Sequence, residues 1–306
     1  MRAFIFPGQG SQSVGMGKAL AEASGTAREL FEEVDEALGQ HLSRLMAEGP
    51  IEDLTLTANA QPAIMANALA TLRVSGIDVR KADFVAGHSL GEYTALAAAG
   101  AFDLATTARL LKLRGQAMQQ AVPVGQGAMA ALLGASLEVA QAIAEAAAQG
   151  EVCAVANDND PTQVVISGHR GAVERALGIA KEKGAKRAVL LPVSAPFHSP
   201  LMEPAAQAME QALADAHIAA PAPPVYANVT AAPASDPDEI RRLLVAQVTG
   251  MVRWRESVAA MWEAGVTDFV EFGGKVLAPM VKRIAPDANV RSVVTMDDIA
   301  ALTKEI

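Results

Sequence analysis

The chain has 306 residues, 51% of them hydrophobic and 19% charged, which fits a compact enzyme and excludes a disordered chain. This length allows a large core and a second, smaller lobe. The formal net charge is −9 and the acidic and basic residues are interspersed, which gives no support to nucleic-acid binding.

The first 124 residues alternate short apolar runs with helical spacing, as in an α/β protein with a mainly parallel sheet. Apolar runs predict strands at 3–6 and 84–86, and a loop rich in glycine and amides follows the first strand. Helices are predicted at 18–38, 61–75, 94–99 and 104–118. The second of these helices is predicted to begin near Pro62, because proline is tolerated in the first turn.

The pattern changes at residue 125, where six elements follow in the order strand, helix, strand, strand, helix, strand. They are predicted at 128–133, 137–149, 152–156, 163–168, 172–183 and 187–191, with a turn at 157–161. This order is that of the ferredoxin-like unit. We therefore predict an inserted ferredoxin-like small subdomain at 125–192, with the remaining residues, 1–124 and 193–306, forming the larger lobe.

Residues 87–91 read Gly-His-Ser-Leu-Gly, a Gly-x-Ser-x-Gly motif between an apolar run and a helix-forming stretch. Strand, tight turn and helix are the context in which this motif presents a serine nucleophile in an α/β hydrolase-like core. The N-terminal N–H groups of the following helix would stabilise an anion there. We predict Ser89 as the nucleophile, the alternative being a turn with a solvated hydroxyl.

A serine nucleophile needs a base, and the chain has five histidines. His198 lies in a loop between two prolines, where the chain re-enters the larger lobe, and catalytic groups concentrate in such loops. We therefore predict His198 as the base. The others lie in helical stretches, at the end of a strand or beside the nucleophile itself: His41, His217, His169 and His88.

Hydrolases with this motif carry an acid between the serine and the histidine in chain order. Asp158 and Asp160 are the best placed, yet both fall in the small subdomain and are expected to be remote from the main sheet. A backbone carbonyl can also hold a neutral imidazole in the required tautomer. The sequence therefore favours a Ser–His dyad over a triad.

Arg114 lies within the apolar stripe of its predicted helix, between Leu111 and Met118. Charged side chains at such positions are rarely buried without a partner. One interpretation is a salt bridge to a carboxylate in the core. The other is a guanidinium that faces a cleft and binds a substrate carboxylate through two parallel hydrogen bonds. Spacing alone leaves both open.

The single cysteine, Cys153, excludes an internal disulfide and a cysteine-ligated metal cluster, and we expect its side chain to be buried. No metal site is predicted. No run approaches the roughly 18 apolar residues that a membrane span requires, and the N-terminus does not resemble a signal peptide. A cytoplasmic enzyme without membrane association is expected.

Four segments resemble, in order and spacing, the malonyl-CoA:acyl carrier protein transacylases, the acyltransferases of bacterial fatty acid synthesis, which are related to the acyltransferase domains of polyketide synthases. The resemblance runs from end to end of the chain. The segments are Phe6-Pro7-Gly8-Gln9-Gly10-Ser11-Gln12, Gly87-His88-Ser89-Leu90-Gly91-Glu92-Tyr93, Arg114-Gly115-Gln116-Ala117-Met118-Gln119 and Pro196-Phe197-His198-Ser199.

The resemblance implies a ping-pong transfer. Ser89, activated by His198, takes the malonyl group from coenzyme A and passes it to the phosphopantetheine thiol of acyl carrier protein. Coenzyme A thus enters as part of a substrate, and no cofactor is expected. The resemblance also implies that the backbone N–H groups of Gln9 and Leu90 form the oxyanion hole.

Further substrate contacts follow from the same resemblance. Arg114 matches the arginine that binds the malonyl carboxylate, and Gln247 matches a glutamine whose backbone carbonyl orients the histidine. Phe197 resembles the bulky residue that malonyl-selective domains place against a branched α-carbon. Asn157 is a further candidate for substrate binding. A monomer is expected, as is usual in the family.

Lys186 and Arg187 belong to a basic stretch at 181–187. The stretch is either a solvated helix end or a docking patch for the acidic acyl carrier protein. Two other segments depart from the family pattern. Residues 272–277 are one residue shorter than usual, and residues 248–254 lack the Asn-Pro that commonly precedes Val-x-Trp.

Three classes of function remain open at this point. The first is malonyl transfer from coenzyme A to acyl carrier protein, in fatty acid or in polyketide synthesis. The second is a serine thioesterase or hydrolase that uses Ser89 and His198 but delivers the acyl group to water. The third is a scaffolding homologue without activity. Arg114 favours the first over the second, and an intact Ser89 and His198 count against the third.

Overall fold

The computed structural model describes residues 1–193 and 195–306, in which helices cover two β-sheets. The strands are Arg2–Phe6 (β1), Phe84–Gly87 (β2), Gly127–Leu133 (β3), Cys153–Asp160 (β4), Gln163–His169 (β5), Arg187–Leu190 (β6), Val225–Ala227 (β7), Ala232–Ala234 (β8), Asp268–Phe272 (β9) and Asn289–Val293 (β10). The helices are Lys18–Ala23 (α1), Gly25–Leu38 (α2), Leu42–Glu48 (α3), Ile51–Thr55 (α4), Thr57–Ser75 (α5), Gly91–Ala98 (α6), Leu104–Gln120 (α7), Leu137–Ala148 (α8), Arg170–Ile179 (α9), Glu203–Asp215 (α10), Pro237–Thr249 (α11), Trp254–Glu263 (α12), Leu277–Ile284 (α13) and Met296–Leu302 (α14).

The larger sheet has the strand order β10-β9-β1-β2-β7-β8 and is parallel except for its last pair. Its central strand β1 is fully buried from Ala3 to Phe6, as expected where helices cover both faces of a parallel sheet. The prediction of an α/β protein with a mainly parallel sheet is confirmed. Strand β2 ends at the Ser89 turn, in the middle of this sheet.

The second sheet is antiparallel and has the order β4-β5-β3-β6. Its apolar face packs with α8 and α9 in a cluster that includes Ile143, Ile166 and Val173. Strand β4 is an edge strand, and Cys153 at its start is partly exposed. The expectation that this cysteine is buried is therefore wrong, because an edge position leaves one flank of the strand uncovered.

Strand β4 also attaches the second sheet to the larger lobe. Asn157 forms a parallel bridge with Val252, and the N–H of Asp158 donates to the carbonyl of Val252 at 3.0 Å. The turn predicted at 157–161 is wrong: the strand continues through Asp160 because its pairing with β5 persists across two irregularities in register.

Two helices also begin where the sequence pattern did not place them. Helix α5 begins at Thr57, so Pro62 lies inside the helix rather than in its first turn. Most of α5 is buried, and packing against its neighbours outweighs the backbone hydrogen bond that the proline removes. The helix predicted at 18–38 is broken at Ser24, whose backbone is extended.

None of the helices within 1–193 and 195–306 combines the length and the apolar character needed to cross a membrane.

Candidate active site

Ser89 lies in the turn between β2 and α6, and its backbone has φ of +53°, a left-handed conformation that a serine rarely adopts. The flanking glycines make this turn possible. A Cβ on Gly87 would lie 1.8 Å from the carbonyl oxygen of Gly91, and a Cβ on Gly91 would lie 2.3 Å from that of Phe6. The turn therefore requires glycine at both places.

His198 lies next to this serine. Its Nε2 is 2.8 Å from Ser89 Oγ, and its Nδ1 is 2.9 Å from the carbonyl oxygen of Gln247 and 3.1 Å from that of Gly250. Carbonyl oxygens only accept hydrogen bonds, so Nδ1 carries the proton and Nε2 accepts from the serine hydroxyl. This is the tautomer in which His198 can take a proton from Ser89.

The imidazole of His198 is held in its neutral form. Burial lowers its pKa to about 3, with the charge of Arg114 acting in the same direction. The two acids considered for a triad are not available to it. Asp158 pairs with Arg255 at 2.9 Å, and Asp160 pairs with Arg283 at 2.8 Å. Both acids thus contact helices of the larger lobe through these ion pairs.

Arg114 is 1% exposed and faces the serine, with its Nη2 3.2 Å from Ser89 Oγ. Its other contacts are to amides: Nη1 donates to Gln61 Oε1 at 2.7 Å and Nη2 donates to Gln247 Oε1 at 2.9 Å. Its Nε has no partner in the described part of the chain, and no carboxylate there lies within 4.0 Å of the guanidinium. The salt-bridge interpretation is therefore excluded for these residues.

Gln9 and Leu90 line the same cavity as Ser89 and His198, which has a volume of about 290 Å³. Leu90 precedes the first residue of α6, where backbone N–H groups lack partners within the helix. The side chain of Gln9 accepts from Thr57 Oγ1 at 3.1 Å, which ties its loop to α5.

Phe197 and Asn157 also line this cavity. Most of the remaining wall is apolar and comes from helix α7, strand β3 and the segment after β6, namely Met118, Met129, Leu191 and Val193. The mixture of an apolar wall with a few convergent polar groups is typical of a small-molecule site. His88 also lines the cavity, and its Nε2 lies 2.8 Å from Asn159 Oδ1.

Several residues of the site carried no recognisable sequence signal. Asn228 follows β7, and its Oδ1 accepts from the backbone N–H of Ser89 at 2.8 Å while its Nδ2 donates to the carbonyl of Gly87 at 2.7 Å. Gln61 and Gly250 reach the site from other parts of the chain, through contacts with Arg114 and His198.

Among the described residues, no group of three or more histidine, cysteine, aspartate and glutamate side chains is placed to hold a metal ion.

A family model described as an acyl transferase domain matches residues 3–281. Because this match covers most of the chain, the chain belongs to the acyl transferase family.

Relatives within that family define the chain further. The malonyl CoA-acyl carrier protein transacylase of Bacillus subtilis is 46% identical over 287 residues, which are 92% of this chain and 90% of the relative. The structure of an acyl-carrier-protein-S-malonyltransferase from Bartonella henselae has a TM-score of 0.97 at 53% identity, covering 99% of this chain and 98% of its own. The chain is thus a member of the malonyl CoA-acyl carrier protein transacylase family.

A third similar structure shows a malonyl-transacylase in complex with its type II PKS acyl-carrier protein. Its TM-score is 0.96 at 39% identity, and the match covers 100% of this chain and 99% of that one.

Proposed function

We propose that this protein transfers the malonyl group of malonyl-CoA to the phosphopantetheine thiol of acyl carrier protein, through a malonyl ester on Ser89. The observation that carries the proposal is the guanidinium of Arg114, which is buried, has no carboxylate partner among the described residues and lies 3.2 Å from Ser89 Oγ through its Nη2. Membership of the malonyl CoA-acyl carrier protein transacylase family agrees with it.

In the first half-reaction, Ser89 Oγ attacks the thioester carbonyl of malonyl-CoA while His198 Nε2 takes the hydroxyl proton. The negative charge that develops on the carbonyl oxygen is stabilised by the backbone N–H groups of Gln9 and Leu90. When the tetrahedral intermediate collapses, the C–S bond breaks and His198 returns the proton to the departing thiolate. Coenzyme A leaves, and malonyl remains on Ser89.

In the second half-reaction, the thiol of acyl carrier protein gives its proton to His198 and attacks the malonyl ester. The C–O bond to Ser89 breaks, and the serine oxygen recovers the proton from His198. The carbonyl of Gln247 holds His198 in the required tautomer throughout, so no acidic residue is needed. The thioester energy comes from the substrate, and the proposal includes no cofactor.

Arg114 distinguishes this reaction from that of a thioesterase. A buried guanidinium binds a carboxylate strongly through charge-assisted hydrogen bonds, whereas beside a neutral acyl chain it stays unpaired at a cost. An esterase has no general need for such a cation opposite its nucleophile. The apolar wall formed by Met118, Met129 and Phe197 also supports transfer to a thiol, since it limits the room for water.

We also propose that acyl carrier protein docks at Lys186 and Arg187. Both side chains are exposed at the start of β6, and the chain leaving this strand lines the cavity at Leu191 and Val193. A basic patch at the start of the strand whose other end leads into the cavity suits an acidic carrier. The similar structure of a malonyl-transacylase with its acyl-carrier protein supports this class of partner.

The finer architecture belongs to the same proposal: a hydrolase-like catalytic core at 1–124 and 193–306 with a ferredoxin-like subdomain at 125–192. The antiparallel order of β4-β5-β3-β6, with the helices between strands, supports the second part. A monomer is proposed because Ser89, His198 and Arg114 all come from one chain. We place the reaction in the cytoplasm and in fatty acid synthesis.

A transfer assay tests the proposed function. The purified protein is mixed with malonyl-CoA and the phosphopantetheinylated acyl carrier protein, and malonyl carrier and free malonate are both quantified. The proposal predicts malonyl carrier as the main product and little malonate. A yield of malonate that is independent of the carrier would show a thioesterase instead. Carriers from fatty acid and polyketide systems, assayed in parallel, separate the two pathways.

A further inference from the structure

Glu92 is a buried carboxyl group that the proposed reaction does not use. It is the last residue of the Gly87-His88-Ser89-Leu90-Gly91-Glu92 segment, lies in the first turn of α6 and is 1% exposed. Burial raises its pKa to about 7, against the effect of its hydrogen bonds. A carboxyl group kept at such a place, despite the cost of desolvation, calls for an explanation.

The contacts of Glu92 join three separate elements. Its Oε2 accepts from the backbone N–H of Asn228 at 3.0 Å, just after β7, and from Gln247 Nε2 at 2.8 Å, on α11. Glu92 itself belongs to α6, which carries the Ser89 turn at its start. One oxygen atom therefore ties the nucleophile's helix to two partners that are 136 and 155 residues away.

The contact with Gln247 fixes the direction of its side-chain amide. Glu92 as a carboxylate only accepts hydrogen bonds, and Arg114 only donates them. The NH₂ of Gln247 must therefore face Glu92, and its oxygen faces Arg114 at 2.9 Å. The backbone carbonyl of the same residue accepts from His198 Nδ1 at 2.9 Å. By holding Gln247 in place, Glu92 therefore positions the two oxygen atoms that contact His198 and Arg114.

The contact with Asn228 acts on the nucleophile. The side chain of Asn228 accepts from the N–H of Ser89 and donates to the carbonyl of Gly87, so it spans the turn in which Ser89 has a positive φ. A backbone in that conformation persists only where its surroundings hold it. Asn228 holds the Ser89 turn in this conformation, and the hydrogen bond from its own N–H to Glu92 keeps Asn228 in place.

We propose that Glu92 is a positioning residue, which through Gln247 and Asn228 holds His198 and Ser89 in their reactive geometry. The inference rests on the proposed malonyl transfer. We expect the acylation rate to depend more on the position of the accepting Glu92 oxygen than on its negative charge. Small displacements of reacting groups have large effects on rate, about a hundredfold for 1 Å.

Three variants separate position, charge and volume. Glu92→Gln keeps the length and one accepting oxygen but removes the charge. Glu92→Asp keeps the charge but withdraws the oxygens by one methylene group. Glu92→Met keeps the approximate volume and removes every acceptor. Thr94→Val on the same helix is the control, because Thr94 is fully buried and its Oγ1 has no partner in the described part of the chain.

Two probes are used in single-turnover experiments. Acylation by malonyl-CoA, measured from the mass of the intact protein, depends on Ser89, His198 and Arg114 together. The uncharged ester p-nitrophenyl acetate reports on Ser89 and His198 without the carboxylate site. The final extent of malonylation gives the fraction of folded, competent protein, so the rate constants are compared per competent molecule.

We expect Glu92→Met to slow acylation by both probes about tenfold to a hundredfold while the final extent stays near one malonyl group per chain. Glu92→Gln should remain within about threefold of the unaltered protein, Glu92→Asp should be slower than Glu92→Gln, and Thr94→Val should be unchanged. If Glu92→Met does not fold, the order of the Asp and Gln variants decides.

An unaltered rate for folded Glu92→Met would overturn the inference, as would a Glu92→Asp rate equal to or above that of Glu92→Gln. If the proposed function itself is wrong, the result is different, because the unaltered protein would then gain no malonyl group at all.

Discussion

The proposed selectivity for malonyl comes from Arg114. Its guanidinium is fully buried and its hydrogen bonds go to neutral amides and to Ser89, so a substrate carboxylate would be its first anionic partner within hydrogen-bond distance. Because the charge is already desolvated, binding a carboxylate there gains more than it would at the surface.

We therefore predict that Arg114→Ala lowers kcat/KM for malonyl-CoA by at least about thirtyfold, as expected for loss of 2 to 5 kcal/mol from a buried charge pair. The same change should raise the rate with acetyl-CoA, because an unpaired cation no longer faces the neutral acyl group. The control is Arg109→Ala, which removes an exposed arginine of the same helix. Steady-state kinetics with both thioesters measure the effect, and an equal loss for the two thioesters would argue against a carboxylate site.

The depressed pKa of His198 predicts an unusual pH profile. With a pKa of about 3, the imidazole stays neutral from pH 8 to pH 5, so acylation rates should change little over this range. For an imidazole with an ordinary pKa, the fraction in the neutral form would fall about thirtyfold between pH 8 and pH 5. Single-turnover malonylation measures the profile. Glu92→Gln is the control, because Glu92, with a pKa of about 7, titrates within the same range.

The lowered pKa of His198 also makes the free energy of unfolding depend on pH. Below pH 6.5 the unfolded chain binds a proton at His198 that the folded protein does not bind until about pH 3. The contribution of this residue to the free energy of unfolding is therefore complete above pH 6.5 and is lost as the pH falls from there toward 3. In the single-turnover malonylation experiment, a rate constant that falls with a midpoint near pH 6.5 would contradict a buried, neutral His198.

Part of the site could be predicted from single residues and part could not. Ser89 and His198 stand in local patterns, a glycine-flanked turn and a loop between prolines, and local patterns are visible in a sequence. Asn228 and Gly250 contribute through contacts with residues far away along the chain. Such contacts arise only when the sheet and helices pack, so residue type and spacing gave no indication of them.

At the scale of elements, the turn before α6 depends on how closely α6 approaches β1. A Cβ on Gly91 would lie 2.3 Å from the carbonyl oxygen of Phe6 and 2.9 Å from that of Pro7, both of which are backbone atoms. Backbone cannot move aside as a flexible side chain can, so the helix itself would have to shift.

Gly91→Ala should therefore lower the free energy of unfolding by about 1 to 3 kcal/mol or more and reduce acylation of Ser89 in the protein that still folds. Gly178→Ala provides the matched control, since Gly178 lies in α9 with nothing within 4 Å of an added Cβ. That substitution should be neutral or stabilising by up to about 1 kcal/mol. Urea unfolding measures both, and an equal response of the two variants would refute the close-approach argument.

Element boundaries show why sequence patterns were only partly sufficient. The strand predicted at 3–6 is confirmed as β1, because an apolar run ended by a loop rich in glycine is a strong local signal. Helix α5 and strand β4 extend beyond their predicted limits. In both cases packing against other parts of the molecule stabilises residues, Pro62 in the helix and Asp158 in the strand, that local preference places elsewhere.

At the scale of the whole molecule, the cavity lies where the second sheet meets the larger lobe. Asn157 and Met129 of the second sheet line it together with Ser89 and His198 of the larger lobe. The ion pairs of Asp158 with Arg255 and of Asp160 with Arg283 hold strand β4 against helices α12 and α13. The proposed substrate site thus lies between two parts of the chain that these ion pairs join.

The proposed carrier patch can be tested by reversing its charge. The double change of Lys186 and Arg187 to Glu should raise the KM for acyl carrier protein and leave malonylation by malonyl-CoA unchanged, because coenzyme A thioester binding does not require these side chains in our proposal. The KM increase should shrink at high salt, where charge interactions are screened. Lys304→Glu, an exposed lysine near the C-terminus, is the control. An unchanged carrier KM would remove the patch.

The most direct test of malonyl transfer through Ser89 is the intact mass of the protein after brief mixing with malonyl-CoA, acetyl-CoA or methylmalonyl-CoA in the absence of carrier. We predict that the unaltered protein gains one malonyl group, that acetyl-CoA labels it far more slowly, and that Ser89→Ala gains nothing. Adding the carrier should then remove the label. Labelling of Ser89→Ala, or equal labelling by acetyl- and malonyl-CoA, would contradict the account.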